Sequence, residues 1–145
     1  MFLPPLLPRA LLSLILLQTA ALIAAPPRIT EFMASNEGTI ADEDGDYPDW
    51  IEIHNPDLAS IDLAGHALTD DPSEPRKWIF PAGSTLSGGG YIVVVASGKN
   101  RTSSRAELHT NFQLNADGDY LSLVAPDGDS ILLSLIHISE PTRPE

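Results

Sequence analysis

The sequence predicts an all-β fold, a two-sheet antiparallel β-sandwich, on three observations. From Arg28 onward no window keeps a 3.6-residue apolar period, so no helix of useful length is expected. About eight short β-rich runs alternate instead with clusters of Gly, Pro, Asn and Asp. Thirteen prolines and ten glycines in 145 residues supply those breaks. Strands this short and evenly spaced fit a sandwich better than a barrel with a lumen.

The expected strands follow in order. The first two are residues 28–33 and 49–54. In Trp50-Ile-Glu-Ile-His54 the isoleucines share one face and Glu52 points the other way, as a half-buried strand requires. Asn55-Pro56 then closes that strand, the Asn side chain capping free backbone groups. Residues 60–68 and 77–80 come next. Trp78 and Phe80 bracket Ile79 as core aromatics, with Pro81 as the stop. Residues 91–96, apolar on both faces, read as a central strand. Residues 107–114, 120–124 and 130–133 complete the set, and Pro126-Asp-Gly128 reads as a tight hairpin turn between the last two.

Residues 1–27 stand outside this pattern. Arg9 precedes a sixteen-residue apolar stretch, 10–25, which ends in small residues before Pro26-Pro27. That is the layout of a secretory signal peptide with a short linker. Cleavage after Ala21 is favoured over Ala25, which would leave Pro26 at the new terminus. An uncleaved anchor is the alternative. The stretch contains Gln18 and falls short of the ~20 residues needed to span a bilayer. The mature chain is therefore expected to be secreted or extracytoplasmic, with no membrane contact.

Composition removes several functions. With 20 acidic and 8 basic residues the formal charge is −12, which repels a phosphate backbone, so nucleic acid is not an expected partner. The absence of cysteine excludes disulfides, thiolate zinc sites and a cysteine nucleophile. The charge is also uneven: residues 37–74 hold 12 acids and no lysine or arginine.

A series of blocks begins with Ile29-Thr-Glu-Phe-Met-Ala-Ser-Asn36 and Asp49-Trp-Ile-Glu-Ile-His-Asn-Pro56. Ile61-Asp-Leu-Ala-Gly65, Lys77-Trp-Ile-Phe-Pro-Ala-Gly83 and Gly89-Gly-Tyr-Ile-Val-Val-Val-Ala-Ser97 follow. Leu108-His-Thr-Asn-Phe-Gln-Leu114 and Gly118-Asp-Tyr-Leu-Ser-Leu-Val-Ala-Pro-Asp-Gly128 complete them. In this order the blocks resemble the lamin-tail domain of secreted bacterial multidomain proteins. The resemblance implies an immunoglobulin-like sandwich over residues 28–134. It also implies the role of a non-catalytic accessory or interaction module, whose partners are other domains of a longer chain or an extracellular protein or polysaccharide. His66 departs from the family, which usually carries an aromatic there, and its nitrogens would need partners or solvent. Residues 135–145 depart too: they look like translated sequencing-adapter read-through, so a longer natural protein is expected; a natural terminal strand over residues 134–138 is the alternative.

The sharpest chemical feature is Asp42-Glu-Asp-Gly-Asp-Tyr-Pro-Asp49. Asp42, Asp44, Asp46 and Asp49 are candidate calcium ligands, since a hard divalent ion needs several converging carboxylates. The twelve-residue calcium-loop pattern fails, however: its last position falls on Ile53 rather than a glutamate. A solvated acidic loop is the alternative. The pairs Asp117/Asp119 and Asp127/Asp129 read as turn residues. No cofactor other than calcium is suggested.

For catalysis little is present. There is no Gly-x-Ser-x-Gly elbow, His-Glu-x-x-His, phosphate loop or dinucleotide fingerprint. Ser87-Gly-Gly-Gly90 lacks the lysine and helix of a phosphate cradle. His54–Glu52 and His66–Asp70 are conceivable pairs of the kind usually found on surfaces. A fragment of a secreted hydrolase is a third reading, with no residues to support it. Trp50 or Tyr91 would mark a docking surface if either faces outward.

Overall fold

The computed structural model describes residues 24–103, 106–116 and 120–136. The expected signal segment, the Asp117/Asp119 turn and most of the 135–145 tail lie outside them. Nine strands are present among the described residues: β1 (Arg28–Met33), β2 (Asp49–His54), β3 (Ile61–Asp62), β4 (Ala67–Thr69), β5 (Trp78–Ile79), β6 (Thr85–Leu86), β7 (Tyr91–Ala96), β8 (Tyr120–Val124) and β9 (Ile131–Ile136). They form a three-stranded sheet β1-β2-β7, a four-stranded sheet β5-β4-β8-β9 and a two-stranded ribbon β3-β6, all antiparallel. No helix among these residues is long and apolar enough to cross a membrane.

The core lies between the two larger sheets. Alternation turns Ile51 and Ile53 of β2 inward, where they sit opposite Val94 and Ile92 of β7. The facing sheet supplies Leu68 of β4, flanked by Trp78 of β5 and Leu123 of β8. Phe80, Leu63, Leu86, Leu108 and Phe112 fill the remaining space from loops and the ribbon. Trp78 and Phe80 meet edge to face with centroids 4.9 Å apart, while Ile79 between them is exposed, as the bracketing pattern requires.

The structure differs from the sequence expectations in several places; β6 and the 134–136 end of β9 lie outside the expected strands. Residues 60–68 split into β3 and β4, because Leu63-Ala-Gly-His66 turns the chain: the His66 amide donates to the Leu63 carbonyl, and Gly65 takes a positive φ of 81°. Residues 107–114 form no strand and contribute only single bridges from His109 to Val95 and from Gln113 to Ser97. Consequently β7 ends its sheet and is not central; only its second half, beside those bridges, is buried. The strand buried on both faces is β8, enclosed by β4 and β9, with Ser122 as inaccessible as Leu123.

Polar side chains hold the loops. Asn55 is wholly buried, and its amide donates to the carbonyls of Ala59, Leu86 and Ser87 while its oxygen accepts the Asp57 amide. At the hairpin between β8 and β9, Asp127 accepts the backbone amides of Asp129 and Ser130, the turn role expected of it. His66 occupies its buried site with Nδ1 3.2 Å from the Leu63 carbonyl, and burial pushes the imidazole below its ordinary value of 6.5.

Candidate functional site

The acidic loop folds around Asp42. Its carbonyl accepts the Gly45 amide, and its own amide donates to the Asp46 carbonyl. Its Oδ1 accepts the amides of Asp44 and Asp46 at 3.0 and 2.9 Å, so one carboxyl oxygen closes the turn upon itself. Gly45 sits at φ 84°, which a side chain would strain. The other oxygen, Oδ2, is then directed away from the loop backbone.

A cation meets it there. Lys99, just beyond β7, places its ammonium 2.5 Å from Asp42, 2.7 Å from Asp44 and 2.9 Å from Asp46. Arg101, two residues on, donates to Glu43 Oε1 and Asp44 Oδ2, each at 2.6 Å. Arg101 and Lys99 together hold the Asp44 carboxyl down at about 2. Burial would by itself raise Asp42, but hydrogen bonds from Lys99 and from the Asp46 and Asp44 amides outweigh it and hold this carboxyl below its ordinary value. Reciprocally, Asp42, Asp44 and Asp46 raise the Lys99 ammonium above its usual range.

A second layer lies behind the cations. The Glu43 amide donates to Glu107 Oε2 at 2.9 Å, and His109 Nε2 approaches the same oxygen at 3.3 Å without hydrogen-bond alignment. His109 is fully buried, and its Nδ1 shares a 2.8 Å hydrogen bond with Ser97 Oγ, which also accepts the Lys99 amide. Ser, His and Glu thus stand in sequence. Serving as the capping group of the Lys99 turn, the hydroxyl is tied into the scaffold.

The structure brings Asp42, Asp44 and Asp46 together, with ligand oxygens within 4.8 Å of one another. It does not bring Asp49 to them. Asp49 Oδ1 accepts the amides of Ser35 and Asn36 at 2.7 and 3.3 Å, fastening the start of the loop to β2. The pairs His54–Glu52 and His66–Asp70 do not form: His54 stacks on Tyr91, Glu52 accepts the Thr30 hydroxyl, and Asp70 pairs with Lys77 at 2.7 Å. Tyr91 is outward and Trp50 is buried.

Sequence reasoning missed Lys99, Arg101, Glu107 and His109, which lie more than 50 residues from the acids. It also missed Asn36, whose amide donates to the Ile40 and Pro48 carbonyls and whose oxygen accepts the Thr39 amide. The available signal was charge balance. A run of 12 acids with no base of its own must find cations elsewhere, and Arg76-Lys77 and Lys99-Asn-Arg101 are the two basic pairs that follow.

Two facing antiparallel sheets with loop-held polar groups define the class: an immunoglobulin-like β-sandwich. Residues 24–135 match the family described as the lamin tail domain, and the chain belongs to that family. Its domains are immunoglobulin-like and generally non-catalytic. No curated protein matches the chain.

Proposed function

We propose that the chain is a non-catalytic interaction or accessory module, exported as part of a larger secreted bacterial protein. The observation that carries this reading is the closure of Asp42, Asp44 and Asp46 on Lys99. A general acid or base must exchange protons near the working pH. Two of these carboxylates are instead held below their ordinary values and occupied by an internal cation. The residues with the richest chemistry therefore serve the scaffold, leaving strand faces and loop ends for recognition. Export is supported by the apolar segment 10–25 behind Arg9.

Expression of the full chain in a bacterial host, with intact mass measured in each fraction, tests the reading. A species beginning at Leu22 outside the cytoplasm is expected; a chain retaining Met1 inside the cell would remove the extracellular assignment.

A calcium-binding adhesive domain is the second reading, favoured by the convergence of three carboxylates within 4.8 Å. It requires Lys99 to leave, and it has lost Asp49, whereas calcium takes six to eight oxygens. Thermal melting at millimolar calcium separates the two. No shift in Tm is expected for the scaffold loop; a rise would favour the calcium site.

A further inference from the structure

We propose that the end of the sandwich around Leu58 is a membrane-contact face, which sits on a bilayer of neutral lipid before the apolar stretch ending at Ala25 is removed. The proposal rests on the export reading and adds a partner surface to it.

Leu58, in the turn after β2, is 98% exposed, more than any other large apolar side chain among the described residues. A lone exposed leucine needs no explanation; its setting does. The turn is pinned on both sides of it. The Gly89 amide donates to the Asp57 carbonyl at 2.8 Å, and the Ala59 amide donates to Asp57 Oδ1 at 3.0 Å. The Ala59 carbonyl accepts the buried Asn55 side-chain amide at 2.8 Å. Gly88 brings the neighbouring turn close against the Leu58 carbonyl. Leu58 is thus a fixed apolar knob.

The surface around it is uncharged. Residues 24–26, 58–60 and 87–89 are exposed and contain only Ala, Pro, Leu, Ser and Gly. Asp57 beside them gives one oxygen to the Ala59 amide and the other to the Ala25 amide. The acidic loop lies at the opposite end of β2.

The point of chain entry selects lipid as the occupant. Ala25 is the last residue of the apolar stretch 10–25, and its amide already donates to Asp57 Oδ2 at 3.1 Å. Pro27, two residues on, is buried. No spacer therefore separates the stretch from the turn that carries Leu58. A segment inserted in a bilayer must satisfy its own backbone as a helix. Sixteen residues then reach about 24 Å, short of the ~30 Å hydrocarbon core. A short insert draws whatever follows it toward the interface, and here that is the Leu58 turn. A protein partner would have to offer a pocket to the knob, whereas the apolar stretch brings the bilayer to this spot. The net charge of −12 repels anionic headgroups, which leaves neutral lipid.

Flotation and fluorescence of the full chain on phosphatidylcholine vesicles with brominated acyl chains test the face. Trp50 and Trp78 are 5% and 2% exposed and give a constant background, so Leu58→Trp supplies the reporter. Tyr47→Trp is the reference: Tyr47 is 51% exposed in the acidic loop, and the six residues of β2 put about 17 Å between the two positions. Unchanged Tm shows that both variants fold. The full chain is expected to float, with the emission added by Leu58→Trp quenched about twofold or more by bromine and that of Tyr47→Trp spared. A chain that floats with the Leu58→Trp emission unquenched, or with both positions quenched alike, overturns the membrane face and leaves the export reading standing. A chain that does not float overturns the face together with the role of the apolar stretch, so the two failures are distinguishable.

Discussion

Two side chains, one buried and one half-buried, show how single residues organise this chain. Asn55 has no access to solvent, yet its amide reaches three carbonyls on two separate segments, Ala59 and the adjoining Leu86 and Ser87. Asn55→Ala removes those donors and leaves buried acceptors unpaired, so a loss of about 2–4 kcal/mol is expected in urea unfolding. Lys99 does the same work with charge, because its ammonium is shared by Asp42, Asp44 and Asp46. Lys99→Met strands the buried Asp42 oxygen beside two like charges, and Tm should fall further than for Arg101→Met, whose carboxylate partners are more exposed. Tm values for both variants equal to that of the wild type would show that the acidic loop adds nothing to the fold. The Asn55 cap was legible in the sequence, since an Asn-Pro pair after a strand signals it. The Lys99 cage was not, because a contact across 57 residues leaves no local pattern.

Among the elements, the long strands β1, β2, β7 and β8 were readable from alternation and β-branched content, and their bounds coincide with the expected ones. The short ones were not. β6 is two residues long and exists because Thr85 and Leu86 pair with β3. What permits the close approach of the neighbouring chain is Gly88, where a Cβ would stand 2.0 Å from the Leu58 carbonyl oxygen. Gly88→Ala must displace backbone rather than a flexible side chain. A cost of about 1–3 kcal/mol is expected in the same unfolding experiment. The segment 107–114 failed as a strand for a related reason. Its His109 and Thr110 side chains are buried as polar spacers, and its backbone is consumed by bonds to Val95 and Arg101.

For the whole molecule the informative variable is pH. His66 is held below 6.5 by burial, so the unfolded chain takes up the proton first and stability begins to fall as pH drops through 6.5. Asp42, Asp44, Asp57, Asp71 and Asp127 are all depressed from 3.8. Their contribution is complete above that value and is lost as pH falls toward about 2, where Asp44 titrates in the folded state. Lys77 and Lys99 are raised above 10.5, so their stabilisation is present below that pH and lost above it. Tm measured from pH 8 to pH 2 should therefore decline in two stages. His66→Phe, which keeps an aromatic ring in the buried site but removes the titratable nitrogens, should abolish the upper stage and keep the lower. A single stage near pH 4 in the wild type would contradict the buried neutral histidine.

The sequence by itself determined the fold class, the family, strands β1, β2, β7 and β8, the core aromatics Trp78 and Phe80, and the acidic character of residues 37–74. These are properties of local periodicity, turn chemistry and composition, which survive in one dimension. The tertiary structure alone decided that β8 and not β7 is enclosed, that Asp49 fastens a turn, and that Lys99 completes the cage of three aspartates. It also decided which aromatic remains outside: Trp50 and Tyr91 project from the same sheet face, and only the covering of one end of that face separates them. Those outcomes depend on which segments meet across the sandwich. That is set by the packing of distant chain segments and by unlike charges finding each other over more than 50 residues.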